Sequence, residues 1–92
     1  MQFTWDEAKR LENLRIHGLD FADAECVFAG EVFRREDARY AYDEQRMIAI
    51  SLLDAVTVLI VQVEDEKTIH IISMRRADKH ETKIHFDYVT SV

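Results

Sequence analysis

The hydrophobic pattern of this 92-residue chain changes period at Gly30, and that switch constrains the fold more than any other feature of the sequence. Before it, apolar residues recur at helical spacing, first as Ala8, Leu11 and Leu14, then as Phe21, Ala24, Val27 and Phe28. After it, residues 47–53, 56–63 and 68–74 form three runs rich in β-branched and aliphatic side chains, separated by polar turns at 54–55 and 64–67. Such nearly unbroken apolar runs predict strands covered on both faces for part of their length. The punctuation agrees with this division. Thr4-Trp5-Asp6-Glu7 has the form of a capping box, which predicts a first helix beginning there and stopping at Gly18. Asp20 followed by Asp23 predicts a second helix that ends at Gly30. The charged stretch 31–39 reads as an edge strand protected from aggregation by its charges. Ala77, Glu81, Ile84 and Tyr88 lie at helical spacing in a final helix running from 77 to about 89. The expected order is short strand, helix, helix, four strands, helix. Segregated helices and strands predict an α+β fold with a mainly antiparallel sheet, two N-terminal helices and one C-terminal helix.

This length supports one domain, 1–92, with one modest core. Proline is absent and glycine occurs twice, so long flexible linkers are not expected. No apolar run approaches the roughly 20 residues of a membrane helix. Residues 1–6 lack a basic region followed by an apolar stretch, so no signal peptide is expected. The lone Cys26 cannot form an internal disulfide and reads as a buried thiol in a reducing compartment, which points to the cytoplasm.

The net charge is −6, but it is unevenly distributed. Residues 1–66 carry 7 basic and 15 acidic side chains, whereas residues 67–85 carry 5 basic and 2 acidic ones, with His70, His80 and His85 among them. An acidic body with one basic segment repels nucleic acid globally and attracts it locally. The alternative reading of that segment is a solvated cationic face.

Few motifs carry chemistry. His80 and His85 bracket Glu81 in outward likeness to a zinc protease motif, but a spacing of five sets two histidines about 140° apart round a helix, too far to share an ion. There is no Gly-rich phosphate loop and no nucleophile elbow. What remains is a cationic site without metal or cofactor. Internal RNA cleavage by the ribose 2′-OH needs a proton acceptor, cations for the phosphate and a donor for the leaving oxygen. Histidine and arginine suit these tasks. Arg75 and Arg76 end a strand, and Lys79 follows within a helical turn. Strand alternation sends Ser73 and Arg75 to one face and Met74 and Arg76 to the other, so Arg75 is favoured as catalytic and Arg76 as secondary. Lys9, Asn13 and His17 form a polar stripe on the first helix, opposite Ala8, Leu11 and Leu14. His17 either caps that helix or takes part in catalysis. Glu44 and Arg46 share a face and read as an exposed ion pair, and Trp5 reads as core rather than as a base-stacking platform.

At these residues the sequence resembles the BrnT family. The matching pieces are Phe3-x-Trp5-Asp6-x-x-Lys9, Asn13-Leu14-Arg15-x-His17-Gly18 and Phe21-x-x-Ala24-x-x-Val27-Phe28, followed by Glu44-x-Arg46, Ile71-Ile72-Ser73-x-Arg75-x-Ala77 and Glu81. The resemblance implies a RelE-like fold and a metal-independent endoribonuclease toxin of a bacterial type II toxin–antitoxin module, which slows growth by cutting RNA. It implies a ribbon-helix-helix antitoxin as partner, with operator DNA bound only through the complex. Its functional positions carry over to His17, Arg75, Arg76 and Lys79 as the catalytic set. Lys9, Asn13, Arg15, Arg46 and His70 complete the expected RNA-binding surface. The chain departs from the family pattern at Ile16, His70 and His85, where Lys, Arg and Tyr are usual. Those departures suggest a second reading, a catalytically weakened or inactive relative that serves as a partner-binding module.

Overall fold

The computed structural model describes residues 1–39 and 43–91. The elements follow the expected order: β1 (Gln2–Trp5), α1 (Glu7–His17), a 3-10 turn (Phe21–Asp23) leading into α2 (Ala24–Phe28), β2 (Phe33–Glu36), β3 (Met47–Leu53), β4 (Val56–Glu64), β5 (Thr68–Arg76) and α3 (Lys79–Thr90). The strands form one sheet in the order β1-β5-β4-β3-β2. β2, β3, β4 and β5 pair antiparallel in sequence, but β1 pairs parallel with β5, with Trp5 opposite Ile71. The sheet is therefore mixed: three of its four pairings are antiparallel, as a mainly antiparallel sheet requires, and the parallel seat of β1 is the part the sequence did not foretell. The reason lies in α1. Antiparallel pairing fills both edges of β3 and β4, leaving β5 one free edge. α1 continues along that edge, bonding through Asn13 to Met74, and β1 must enter running the same way.

Both faces of the sheet are packed, as the apolar runs require. On one face Phe21, Ala24 and Val27 cover Ala49, Val58, Ile60, Ile69, Ile71 and Met74, with Phe3 and Trp5 against them. On the other, Ile84 of α3 packs with Ile48, Ile50, Leu59, Val61, Phe33 and Ile72. Residues Ile69, Ile71 and Met74 break simple alternation yet share a face. A β-bulge explains this: Val61 pairs with Ser73 but Gln62 pairs with Ile71, leaving Ile72 as the extra residue.

Several local expectations are overturned. Thr4 does not cap α1; it lies in β1, and Asp6 is the N-cap, accepting from the Lys9 N–H at 3.0 Å. Pairing with β5 holds Thr4 extended, and Asp6 caps equally well. The apolar stripe of α1 does not face the core, and of the polar stripe Asn13 turns inward while Lys9 and His17 stay exposed. Asn13 is buried, whereas Leu11 and Leu14 are 53% and 37% exposed. Beyond the end of β1 the edge of β5 presents unpaired peptide groups, and a buried amide satisfies them where leucine cannot. Cys26 is exposed rather than buried, because the five-residue α2 turns Ala24 and Val27 inward and Cys26 outward. Gly18 stops α1 as expected, in the left-handed region at φ 69°, with its N–H on the Leu14 carbonyl at 2.9 Å.

Candidate active site

The end of β5 gathers the charged groups of interest. Arg75 pairs across the sheet with Leu59, which places it on the face that α3 covers. There it meets Glu81 end-on: Nη1 donates to Oε1 at 2.8 Å and Nη2 to Oε2 at 2.9 Å. Nη1 also donates to the Arg76 carbonyl at 3.1 Å. Glu81 is presented by the start of α3, where Asp78 and Glu81 form a reciprocal capping box. Asp78 Oδ1 accepts the Glu81 N–H at 2.8 Å, and Glu81 Oε1 accepts the Asp78 N–H at 2.9 Å. The Arg75 hydrogen bonds hold the Glu81 carboxyl below the usual range, and the charge of Arg39 acts in the same direction. Arg75 is correspondingly held in its charged form, chiefly by Glu81.

The neighbouring cations lie around this strand end. Arg76 alternates to the opposite face, is exposed, and its side chain has no partner among the described residues. Lys79 opens α3, exposed and likewise unpaired among them. His17 is the last residue of α1, exposed and without a hydrogen bond among the described residues. It lies one turn beyond Asn13, whose amide joins α1 to β5. Nδ2 donates to the Met74 carbonyl at 2.8 Å and to the Leu19 carbonyl at 3.1 Å, and the Met74 N–H donates to Oδ1 at 3.2 Å. One amide thus ties the end of α1 to the residue beside Arg75. No hydrogen bond joins His17 to Arg75.

The expected RNA-binding residues fare differently. Lys9 is exposed and has no side-chain partner among the described residues. Arg15 pairs with Glu12, at 3.0 Å from Nε. Arg46 pairs with Glu44 at 3.1 Å, as their shared face suggested. His70 is exposed on β5, its Nδ1 2.8 Å from the Thr4 hydroxyl. Asn13 is corrected outright, since its amide is buried and bonded to backbone, leaving nothing to offer a nucleotide.

Two groups near the site were missed in the sequence. Glu81 as the partner of Arg75 was marked by the Asp78-x-x-Glu81 signature, which fixes a helix start directly after the strand. Arg39, close enough for its charge to act on both Arg75 and Glu81, carried no local signal. It pairs with the buried Asp37 at 2.8 Å and lines a cleft of about 300 Å³ with Arg35, Glu36, Ala38 and Ile48. His85, the third family departure, is buried, its Nε2 2.8 Å from the Glu31 carbonyl. A carbonyl only accepts, so this nitrogen carries the proton. Among the described residues no group of three or more His, Cys, Asp or Glu side chains is placed to hold a metal ion.

Comparison with known proteins identifies the family. The family model described as "Ribonuclease toxin, BrnT, of type II toxin-antitoxin system" matches residues 5–81. The crystal structure of the Brucella abortus ribonuclease toxin BrnT is similar, with a TM-score of 0.64 and 30% sequence identity over 86% of this chain and 99% of that one. No curated protein is significantly similar in sequence. The family model spans the strand-end cations and reaches Glu81, and with the solved relative it makes this chain a member of the BrnT family of ribonuclease toxins of type II toxin–antitoxin systems.

Proposed function

We propose that this chain is a metal-independent endoribonuclease toxin that cleaves RNA by attack of the ribose 2′-OH on the adjacent phosphate. The observation that carries the reading is Arg75, a one-third-exposed guanidinium fixed in a single orientation at a strand end, with Arg76, Lys79 and His17 at the same end of β5 or of the helix tied to it. Arginine contributes hydrogen bonds and charge to the pentavalent phosphate, and an exposed imidazole contributes proton transfer near neutral pH. Lys9, Arg15, Arg46 and His70 are the side chains assigned to the rest of the RNA. In this reading the scaffold is RelE-like, the protein acts in the cytoplasm, and a ribbon-helix-helix antitoxin neutralises it and carries the complex to operator DNA.

The test is expression of the chain alone in bacteria, joined to incubation of the purified protein with total RNA in the presence of a chelator. Growth arrest and RNA cleavage are expected, both relieved by Arg75→Ala or His17→Ala in folded protein. If both variants stay as toxic as the parent, the site assignment is wrong.

A second reading, a non-catalytic partner-binding module, draws on the apolar surface beside α3. Leu52, Phe86 and Val89 are 49%, 62% and 40% exposed, and Leu52 and Val89 border a pocket of about 260 Å³ with Gly30, Glu31, Ser51 and His85. Tight heteromer formation without RNA cleavage at any concentration would favour it.

A further inference from the structure

Arg75 faces a difficulty as a phosphate ligand, because its charge is already matched by Glu81. The geometry of the pair resolves it. A guanidinium carries five N–H groups. In Arg75 both Nη1 hydrogens are engaged, one by Glu81 and one by the Arg76 carbonyl, and one Nη2 hydrogen goes to Glu81. Among the described residues the Nε–H and the second Nη2–H have no acceptor and lie side by side on the adjacent edge. That edge has the spacing of a bidentate fork for two oxygens of a phosphodiester. The Arg75 side chain is 34% exposed and the Glu81 side chain 12%. The carboxylate is thus the sheltered member of the pair and the guanidinium the accessible one. Glu81 is itself fixed, because its Oε1 also accepts the Asp78 N–H at the start of α3.

We propose that Glu81 is a positioning residue. Resting on the reading of Arg75 as the phosphate ligand, it clamps one edge of that guanidinium and aims the other edge, Nε–H and Nη2–H, at the phosphodiester to be cleaved. Glu81 touches no substrate in this scheme. It costs the site attraction, since it cancels a charge, and returns orientation. The capping box makes the orientation a property of the strand–helix junction rather than of a free side chain.

The two contributions separate in kinetics. Glu81→Gln keeps an acceptor for the Asp78 N–H, because glutamine serves a capping box as well as glutamate. It replaces one acceptor facing Arg75 with a donor and releases the positive charge. With a labelled oligoribonucleotide spanning a cleavage site mapped on total RNA, kcat is expected to fall about tenfold or more while KM stays level or drops. A residue that merely held the fold would change the melting transition and not split the two constants. The second measurement leaves Glu81 untouched. Arg75→Ala opens a guanidinium-sized slot with the carboxylate intact, so guanidinium chloride at millimolar, non-denaturing concentration is expected to restore cleavage saturably. Adding Glu81→Gln to that variant is expected to abolish the rescue.

Glu81→Gln with kcat within about twofold of the parent overturns the proposal, as does a complete absence of guanidinium rescue. If instead Arg75→Ala cleaves as well as the parent, or the parent cleaves nothing, the underlying reading of Arg75 fails and this proposal falls with it.

Discussion

Asn13→Leu is the most informative stability variant, because the side chain keeps its branched shape and loses every polar contact. In the wild type the amide serves the Met74 N–H, the Met74 carbonyl and the Leu19 carbonyl. Asn13 is 8% exposed and Met74 is fully buried, so water does not readily replace the amide. Leucine leaves both Met74 peptide groups unpaired, at about 1–3 kcal/mol each, and forfeits a bond to Leu19 worth about 1 kcal/mol. These sum to about 3–7 kcal/mol, and the better burial of leucine brings the expected loss to about 3–5 kcal/mol. For a domain of this size that is a large share of a total stability of about 5–15 kcal/mol. Urea unfolding followed by circular dichroism measures it, with an unchanged m-value showing that the same surface is exposed. Asn13→Asp supplies an internal control. Its carboxylate faces two carbonyls, so the folded-state pKa is raised above the unfolded value near 3.9. The sign follows: the protonated acid donates one bond and the stability is present below that value, then declines as pH rises towards neutrality. A loss under about 1 kcal/mol in Asn13→Leu would refute the claim that the free edge of β5 needs this amide.

Three further outcomes are expected. The Glu81 carboxyl is depressed in the folded protein by Arg75, so its stabilisation is complete above the unfolded carboxylate range and is lost as pH falls through the folded value. Glu81→Gln should flatten the acid limb of a stability–pH profile measured by thermal melting. Gly18 sits at φ 69° with no atom within 4 Å of the place a Cβ would take, so Gly18→Ala should cost about 1 kcal/mol from backbone strain alone and Gly18→Asn less, by urea midpoint. Phe21 is fully buried in the helix-side core, and Phe21→Ala should remove about 3–5 kcal/mol in the same assay.

The sequence disclosed the element order because each element met its own local requirement. Apolar runs such as 56–63 are long and β-branched, and Gly18 and Asp20 sit where a helix must stop and the next turn start. It singled out Arg75 as the expected catalytic cation through strand alternation and the family pattern. What it hid were features created by tertiary neighbours. No amphipathic analysis turns Asn13 inward and Leu11 outward, since the demand comes from peptide groups sixty-one residues away on β5. The parallel seat of β1 has the same origin. Cys26 looked buried by residue type, but its exposure follows from how short α2 is. The partner of Arg75 was legible in principle, from Asp78 and Glu81 three apart.

The extra residue at Ile72 carries a consequence for tolerance to insertion and deletion. Side chains on β5 downstream of it are half a period out of step in sequence with those upstream, and Arg75 and Arg76 take their facings from the register with β4 beyond the bulge. Removing Ile72 while β1 keeps its grip on residues 68–71 would take out the bulge and restore plain alternation, with Ser73 still opposite Val61 and Arg75 still on the side of Glu81. The bulge is thus the place where this strand absorbs the loss of one codon, whereas a residue inserted between it and Arg75 would turn both arginines over.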